Sequence, residues 1–503
     1  QSNLVSVQYP DGRSKTYHYN EPEHTSGANL PHALTGITDE NGDRYATYQY
    51  QADGKAISTG HAGGADLHTL TYGTNSTTVT DPLGTQRIHS FTTILGVVKS
   101  TGQSQPGGSG CGPSSSATAY DANSNVASRA DFNGHKSCFA YDLTRNLETV
   151  RVEGLASGSA CPTNLATYTP AASTAERKIL TEWDSRFRLP TRVTEAGRET
   201  TTVYDDHGNV TRRSIKETVL NKTRTWTTGY TYHASVPGVL VQKVENGPRT
   251  DVSDLTTTDY YAPDEHCTGG HYGCRAQVRQ VTNALGHVTT YDEYDAHGHV
   301  TRMIDPNGLV TTFSYTPRGW LETRDVGGEV THFDYDGVGQ VIRVTRPDGS
   351  HVGFEYDAAH RLIAIVQQDG NRLSYTLDPA GNRTKEEITG PDGGNAYYTH
   401  SRKFDALGRL WQDIGALNQT VTYEYDAKGN LKKTDGARTD VADVTRHDYD
   451  PLDRLTQTLN ADSGIEQYTP NALDQTTRVV DPANQATTHT INALGDVTQT
   501  VSA

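Results

Sequence analysis

Five cysteines, 20 histidines and 60 acidic residues are the side chains with which this sequence could do chemistry, and their spacing decides whether they can. Cys267 and Cys274 bracket the stretch Thr268-Gly269-Gly270-His271-Tyr272-Gly273. In an oxidising compartment the two could close a small disulfide; otherwise they are free thiols. His266 and His271 beside them are zinc-type donors, but the ligand spacing of a structural zinc site is missing. The other cysteines are Cys111, Cys138 and Cys161, and an odd total leaves at least one thiol without an intrachain partner. The sequence does not say which.

Paired carboxylates such as Asp205-Asp206 could serve a hydrolase, yet adjacent strand residues face opposite ways and Asp205 has a turn to cap. Asp121-Ala122-Asn123-Ser124-Asn125 resembles the start of a calcium loop, but Asn replaces carboxylates and no Glu stands at the twelfth position. His287, His297 and His299 gather near one turn and read as solvent-facing. The nucleophile elbow, the His-Glu-x-x-His helix, the phosphate loop, Cys-x-x-Cys and the dinucleotide fingerprint are all missing from the sequence. No catalytic residue, cofactor site or metal site is expected, and the chain is read as a non-enzyme.

What positions these residues is a repeat. From Tyr294 onward an aromatic, an Asp, two variable residues and a Gly return about every 21 residues. The copies include Tyr204-Asp205-Asp206-His207-Gly208, Tyr294-Asp295-Ala296-His297-Gly298, Tyr335-Asp336-Gly337-Val338-Gly339 and Tyr425-Asp426-Ala427-Lys428-Gly429. Some drift: Leu377-Asp378 and Phe404-Asp405 replace Tyr-Asp, and His360 stands where Gly is expected. Between markers lies a second turn signal, as in Asp81-Pro82-Leu83-Gly84 and Asp305-Pro306-Asn307-Gly308. Asp accepts from backbone N–H groups, Pro presets φ and Gly takes the positive-φ position, so each unit should be a hairpin ending in a bulge. Rings two residues before the marker, Phe313, Phe333, Phe354, Tyr375 and Tyr423, are expected to stack into ladders that hold the sheet together.

Composition agrees with a thin sheet wetted by water. Hydrophobic residues make up 33%, and 28 tyrosines outnumber 8 phenylalanines and 4 tryptophans. The net charge of -16 argues against a nucleic-acid binder, which needs a basic stripe. No apolar run approaches the length of a membrane span. Residues 1–503 read as one repeat region, with worn copies over 1–119 and clearer ones over 120–503. Longer loops are expected near 102–116, 153–174, 247–275 and 389–396, and Thr174 to Leu180 could form a turn or two of helix. Both ends fall mid-repeat and are read as cut from a longer polypeptide.

A unit of this length spelled Tyr-Asp-x-x-Gly resembles the Rhs and YD-repeat family, with Tyr204 to Thr211 and Tyr425 to Leu431 close to its consensus. The resemblance implies an all-β hairpin ribbon that spirals into a hollow shell or barrel, related to the toxin-complex cocoon and the teneurin barrel. It implies a structural segment of a bacterial toxin protein, secreted or delivered at the cell surface, whose partner is an enclosed toxic domain of the same polypeptide. A secretion apparatus or cell-surface partner would deliver it. Neither the family's autoprotease residues nor a toxin can be carried onto this sequence. The alternative is a surface recognition module whose exposed rings bind glycans or a partner protein. A carbohydrate-active β-solenoid enzyme would need convergent acids that the sequence does not offer.

Overall fold

Two turn signals in each unit leave room for strands of about six residues, and the chain forms them almost throughout. The computed structural model describes residues 2–172 and 174–503. It is all-β, with 41 strands among the described residues and two short 3-10 turns, Pro22–His24 and Ala62–Gly64. A typical run is Val310–Tyr315, Leu321–Val326, Glu329–Tyr335 and Val341–Thr345, each strand pairing antiparallel with the next. The ladder slips by one residue just before each marker, between Ser314 and Tyr315, Asp334 and Tyr335, and Glu424 and Tyr425. That bulge is the extra residue a Gly-ended turn inserts into one strand.

The strands fall into two compact units. One comprises residues 1–8, 14–181 and 354–503; the other comprises 9–13 and 182–353. Neither has a deep centre. In the first unit a buried cluster of Cys138, Val150, Val152, Leu155 and Leu165 forms where the stretch after Leu155 folds back on the sheet. In the second, Tyr261, Cys267, Cys274 and Tyr294 do the same. Each cluster contains a disulfide, Cys138–Cys161 in the first and Cys267–Cys274 in the second, while Cys111 is a free thiol.

Two expectations need correction. Thr174 to Leu180 makes no helical turn: Arg177–Trp183 is a strand, with Arg177 opposite Glu153 and Ile179 opposite Arg151. Sheet pairing, joined by the Arg177–Glu153 ion pair at 2.7 Å, overrides the weak local preference. The predicted aromatic ladder does not form either. Phe313 lies opposite Arg324, Phe333 opposite Val344 and Tyr423 opposite Thr434. One unit is two strands wide, so in-phase rings sit roughly 9.5 Å apart, beyond stacking range.

Candidate functional site

The marker turns are the recurring device of the molecule, and each residue has a task. In Asp295 the Oδ1 oxygen accepts from the backbone N–H of His297 at 2.8 Å and of His299 at 2.9 Å. Asp205 does this for His207 and Asn209, Asp336 for Val338 and Gln340, and Asp426 for Lys428 and Asn430. Gly208, Gly298, Gly339 and Gly429 all hold φ between 84° and 106°, the left-handed region. His360 takes φ 63° in the same place, so the conformation survives loss of the glycine.

The marker tyrosine is a tether. Its hydroxyl donates to the carbonyl of the first residue beyond the preceding marker turn: Tyr315 to Val300 at 2.8 Å, Tyr335 to Leu321 at 2.7 Å and Tyr425 to Leu410 at 2.7 Å. Tyr294 reaches Val278 and Tyr204 reaches Pro190 in the same manner. Phe could pack there but could not satisfy the carbonyl, which explains the excess of Tyr. Burial pushes the Tyr294 phenol up to about 12.

In four turns the residue four after the first turn residue links forward to a backbone carbonyl of the next turn. Arg409 donates Nε to Asp405 at 2.9 Å and Nη1 to the carbonyl of Asp426, in the next turn, at 2.6 Å. Arg361 and Arg454 form the same strut to Asp378 and Asn471, and Gln475 reaches the carbonyl of Asn492 at 3.1 Å. No single sequence copy reveals this, because the acceptor is a backbone atom 17 residues away.

In the first unit these turns also meet a distant edge. The marker turns after Phe354 lie against the intervening turns of 14–181, at separations of 293 to 322 residues. His360 Nε2 lies 2.7 Å from Asp39 Oδ2, Thr85 donates to the carbonyl of Ala406 at 2.8 Å, and Gln105 to that of Ala427 at 2.6 Å. Lys428 pairs with Asp131 and Asp453, and Arg177 with Asp474. Around Asp405, burial pushes the carboxyl up, but Arg409 and the N–H groups of Arg409 and Ser109 more than offset it and hold it below the ordinary range. Within the second unit Asp11 faces Arg318 at 3.5 Å in a pairing of the same kind.

None of the candidate chemistries converges. Asp205 is spent on its turn while Asp206 points outward, its side chain 93% exposed and paired with Arg186. Asp121 uses its Oδ1 on the N–H groups of Asn123 and Asn125. Cys267 and Cys274 are joined to each other and so offer no thiolate. His287 sits in the turn before strand Val288–Tyr294, and His297 and His299 in the turn after it, so the three are not gathered. Among the described residues no three His, Cys, Asp or Glu side chains could hold a metal ion.

A family model described as the RHS repeat matches residues 294–330, 335–368 and 356–394. The chain carries RHS repeats. The marker turns at Asp295, Asp336, Asp357 and Asp378 all fall within those matches. No curated protein matches the sequence. Among solved structures, the crystal structure of TcdB2-TccC3-Cdc42 aligns over 98% of this chain and 28% of its own, at 14% identity and a TM-score of 0.48. The crystal structure of TcdB2-TccC3 covers 97% of this chain and 34% of its own, at 13% identity and a TM-score of 0.31. The Tc holotoxin pore of Photorhabdus luminescens covers 91% and 29%, at 14% identity and a TM-score of 0.31. The chain thus spans about a third or less of the length of these structures.

Proposed function

We propose that residues 1–503 form a wall: a structural segment of a bacterial RHS-type toxin protein whose hairpin ribbon curves into a hollow shell around a toxic C-terminal domain. The observation that carries this reading is the set of contacts between edges 293 to 322 residues apart. A ribbon whose marker-turn edge fits its own intervening-turn edge can be laid course upon course, as an enclosure requires. The marker residues from Tyr204 to Gly429 are then structural turns, and the chain contributes no catalyst. The enclosed partner is a domain of the same polypeptide, and delivery to other cells places the protein outside the one that makes it.

Protease protection tests the proposal. A protease-sensitive domain fused after this region should survive digestion that destroys the free domain, and equal digestion of both rejects the enclosure.

A further inference from the structure

One hairpin of the second unit ends unlike the marker and intervening turns. Strands Val210–Glu217 and Lys222–Tyr232 are joined by Thr218, Val219, Leu220 and Asn221, with two adjacent aliphatic side chains where most turns carry Asp, Asn, Pro or Gly. Val219 is 81% exposed and Leu220 56%. The hairpin also stands clear of the next strand: residues 222–226 run on beyond the last pairing with Leu240–Asn246, where Thr227 lies opposite Asn246. Leu285 and Leu417 are as exposed, but each is the one large apolar residue in its turn.

The backbone of this tip is suited to an apolar medium as well. Glu217, only 4% exposed, turns its carboxylate back to accept the N–H of Val219 at 2.9 Å and that of Leu220. The Thr218 N–H donates to the carbonyl of Gly197 at 3.0 Å. Three successive donors are thus satisfied inside the protein, so moving the tip into a water-poor layer strands none of them. Below the tip the charge is one-sided. Over 210–226 the five cations Arg212, Arg213, Lys216, Lys222 and Arg224 stand against one acid, Glu217, a net of +4 in a chain of net -16. Across the sheet Glu199 lies opposite Lys216, while Arg212, Arg213 and Lys222 are exposed. Adjacent Arg212 and Arg213 point to opposite faces, so the collar is cationic on both sides. A second apolar tip, Leu95 with Val97 and Val98, lacks such a collar, since Arg87 is tied to Asp81 at 3.0 Å and Lys99 lies over the Tyr120 ring.

We propose that the tip at 218–221 is a peripheral anchor for an anionic lipid surface. Val219 and Leu220 enter the boundary between headgroups and acyl chains, while Arg212, Arg213 and Lys222 meet the phosphate and carboxylate groups above it. Aliphatic side chains gain by leaving water, and a basic cluster is drawn to a negative surface from within a Debye length. An acidic protein surface would also match the collar, but it carries polar groups that could satisfy the tip's donors. Lipid tails offer none, and here none is needed. The anchor is one turn deep and reversible, and it does not depend on the chain acting as a shell.

Co-sedimentation of the full chain with phosphatidylcholine vesicles, with and without about 30% phosphatidylserine, tests the assignment. At low ionic strength the vesicle affinity should rise at least fivefold with the anionic lipid and fall back in about 0.5 M salt. Val219→Ser combined with Leu220→Ser keeps the capped backbone and should cut binding to the anionic vesicles at least fivefold, with the melting temperature unchanged. Should that variant fold poorly, Arg213→Gln combined with Lys222→Gln should still cut it at least threefold. No gain from phosphatidylserine, or binding unchanged in a folded tip variant, overturns the proposal. Self-association of the chain that the serine variant abolishes, with vesicle binding unmoved, would assign the tip to a protein contact and overturns it equally.

Discussion

The turns at Asp405 and Asp295 share one frame and are secured by opposite means. Both cap two backbone N–H groups with the Asp and hold a Gly at positive φ, and each is met by a loop from elsewhere. At Asp405 the loop delivers Ser109, whose N–H donates to the carboxylate at 2.9 Å, and Arg409 bolts the turn to the next. At Asp295 the loop is closed by the Cys267–Cys274 disulfide, and Tyr261 packs edge-on to Tyr294 with centroids 5.9 Å apart. The far side of that turn is left open. The frame is therefore a constant, and the side chain four after the Asp decides whether the bond runs forward to the next turn, as at Arg409, or back to the same Asp, as at His299.

Removing the shared Asp should break the two turns unequally. Asp405→Ala strands Arg409 and three backbone donors in a half-buried setting and should cost about 3–5 kcal/mol in denaturant unfolding, whereas Asp295→Ala, with His299 as its partner, should cost about 1–2 kcal/mol. Equal losses would show that the charged bolt adds nothing.

The covalent side answers to redox. Replacing Cys267 and Cys274 together by Ser opens a loop of separation 7 and should cost about 2.5 kcal/mol on the chain-entropy estimate. The Asp405 turn holds no disulfide, so hydrogen exchange there should be unchanged.

Acid should act the other way. The depressed Asp405 contributes stability that is complete above the unfolded carboxyl value, near pH 4, and is lost as the pH falls through its lower folded value. Glu21, held down to about 2 first by its bond to Arg44, adds stability lost between about pH 4.5 and pH 2. The melting temperature should fall across that window, less steeply in Asp405→Asn and in Glu21→Gln. A curve shared by all three proteins would reject the assignment.

The glycine common to both frames is the finest probe. Gly339→Val and Gly429→Val each force a β-branched residue to positive φ and should cost about 1–3 kcal/mol. Gly339 should suffer more, because a Cβ there would stand 2.6 Å from the Trp320 ring, while Gly429 has open space. Identical melting shifts would mean that backbone strain alone matters.

Much of the architecture was legible because turns are written locally. Asp, Gly and Pro at fixed offsets specify a hairpin within five residues, so the all-β ribbon and its period could be read without coordinates. The aromatic ladder was misjudged because the period was taken as the spacing between neighbours, when each unit is two strands wide. Thr174 to Leu180 was misread because the strand at Arg177 is called into being by a partner at Glu153.

By itself, then, the sequence determined the repeating turn and the tyrosine that precedes it. Tertiary structure alone decided that Arg409 spans to Asp426, that Cys138 pairs with Cys161 and not with Cys111, and that Gln105 lies against Ala427 across 322 residues. The reason is physical. A turn depends on interactions within a few residues, whereas a strut, a seam or a cavity depends on where the path of the ribbon brings its own edge back, and no single unit contains that information.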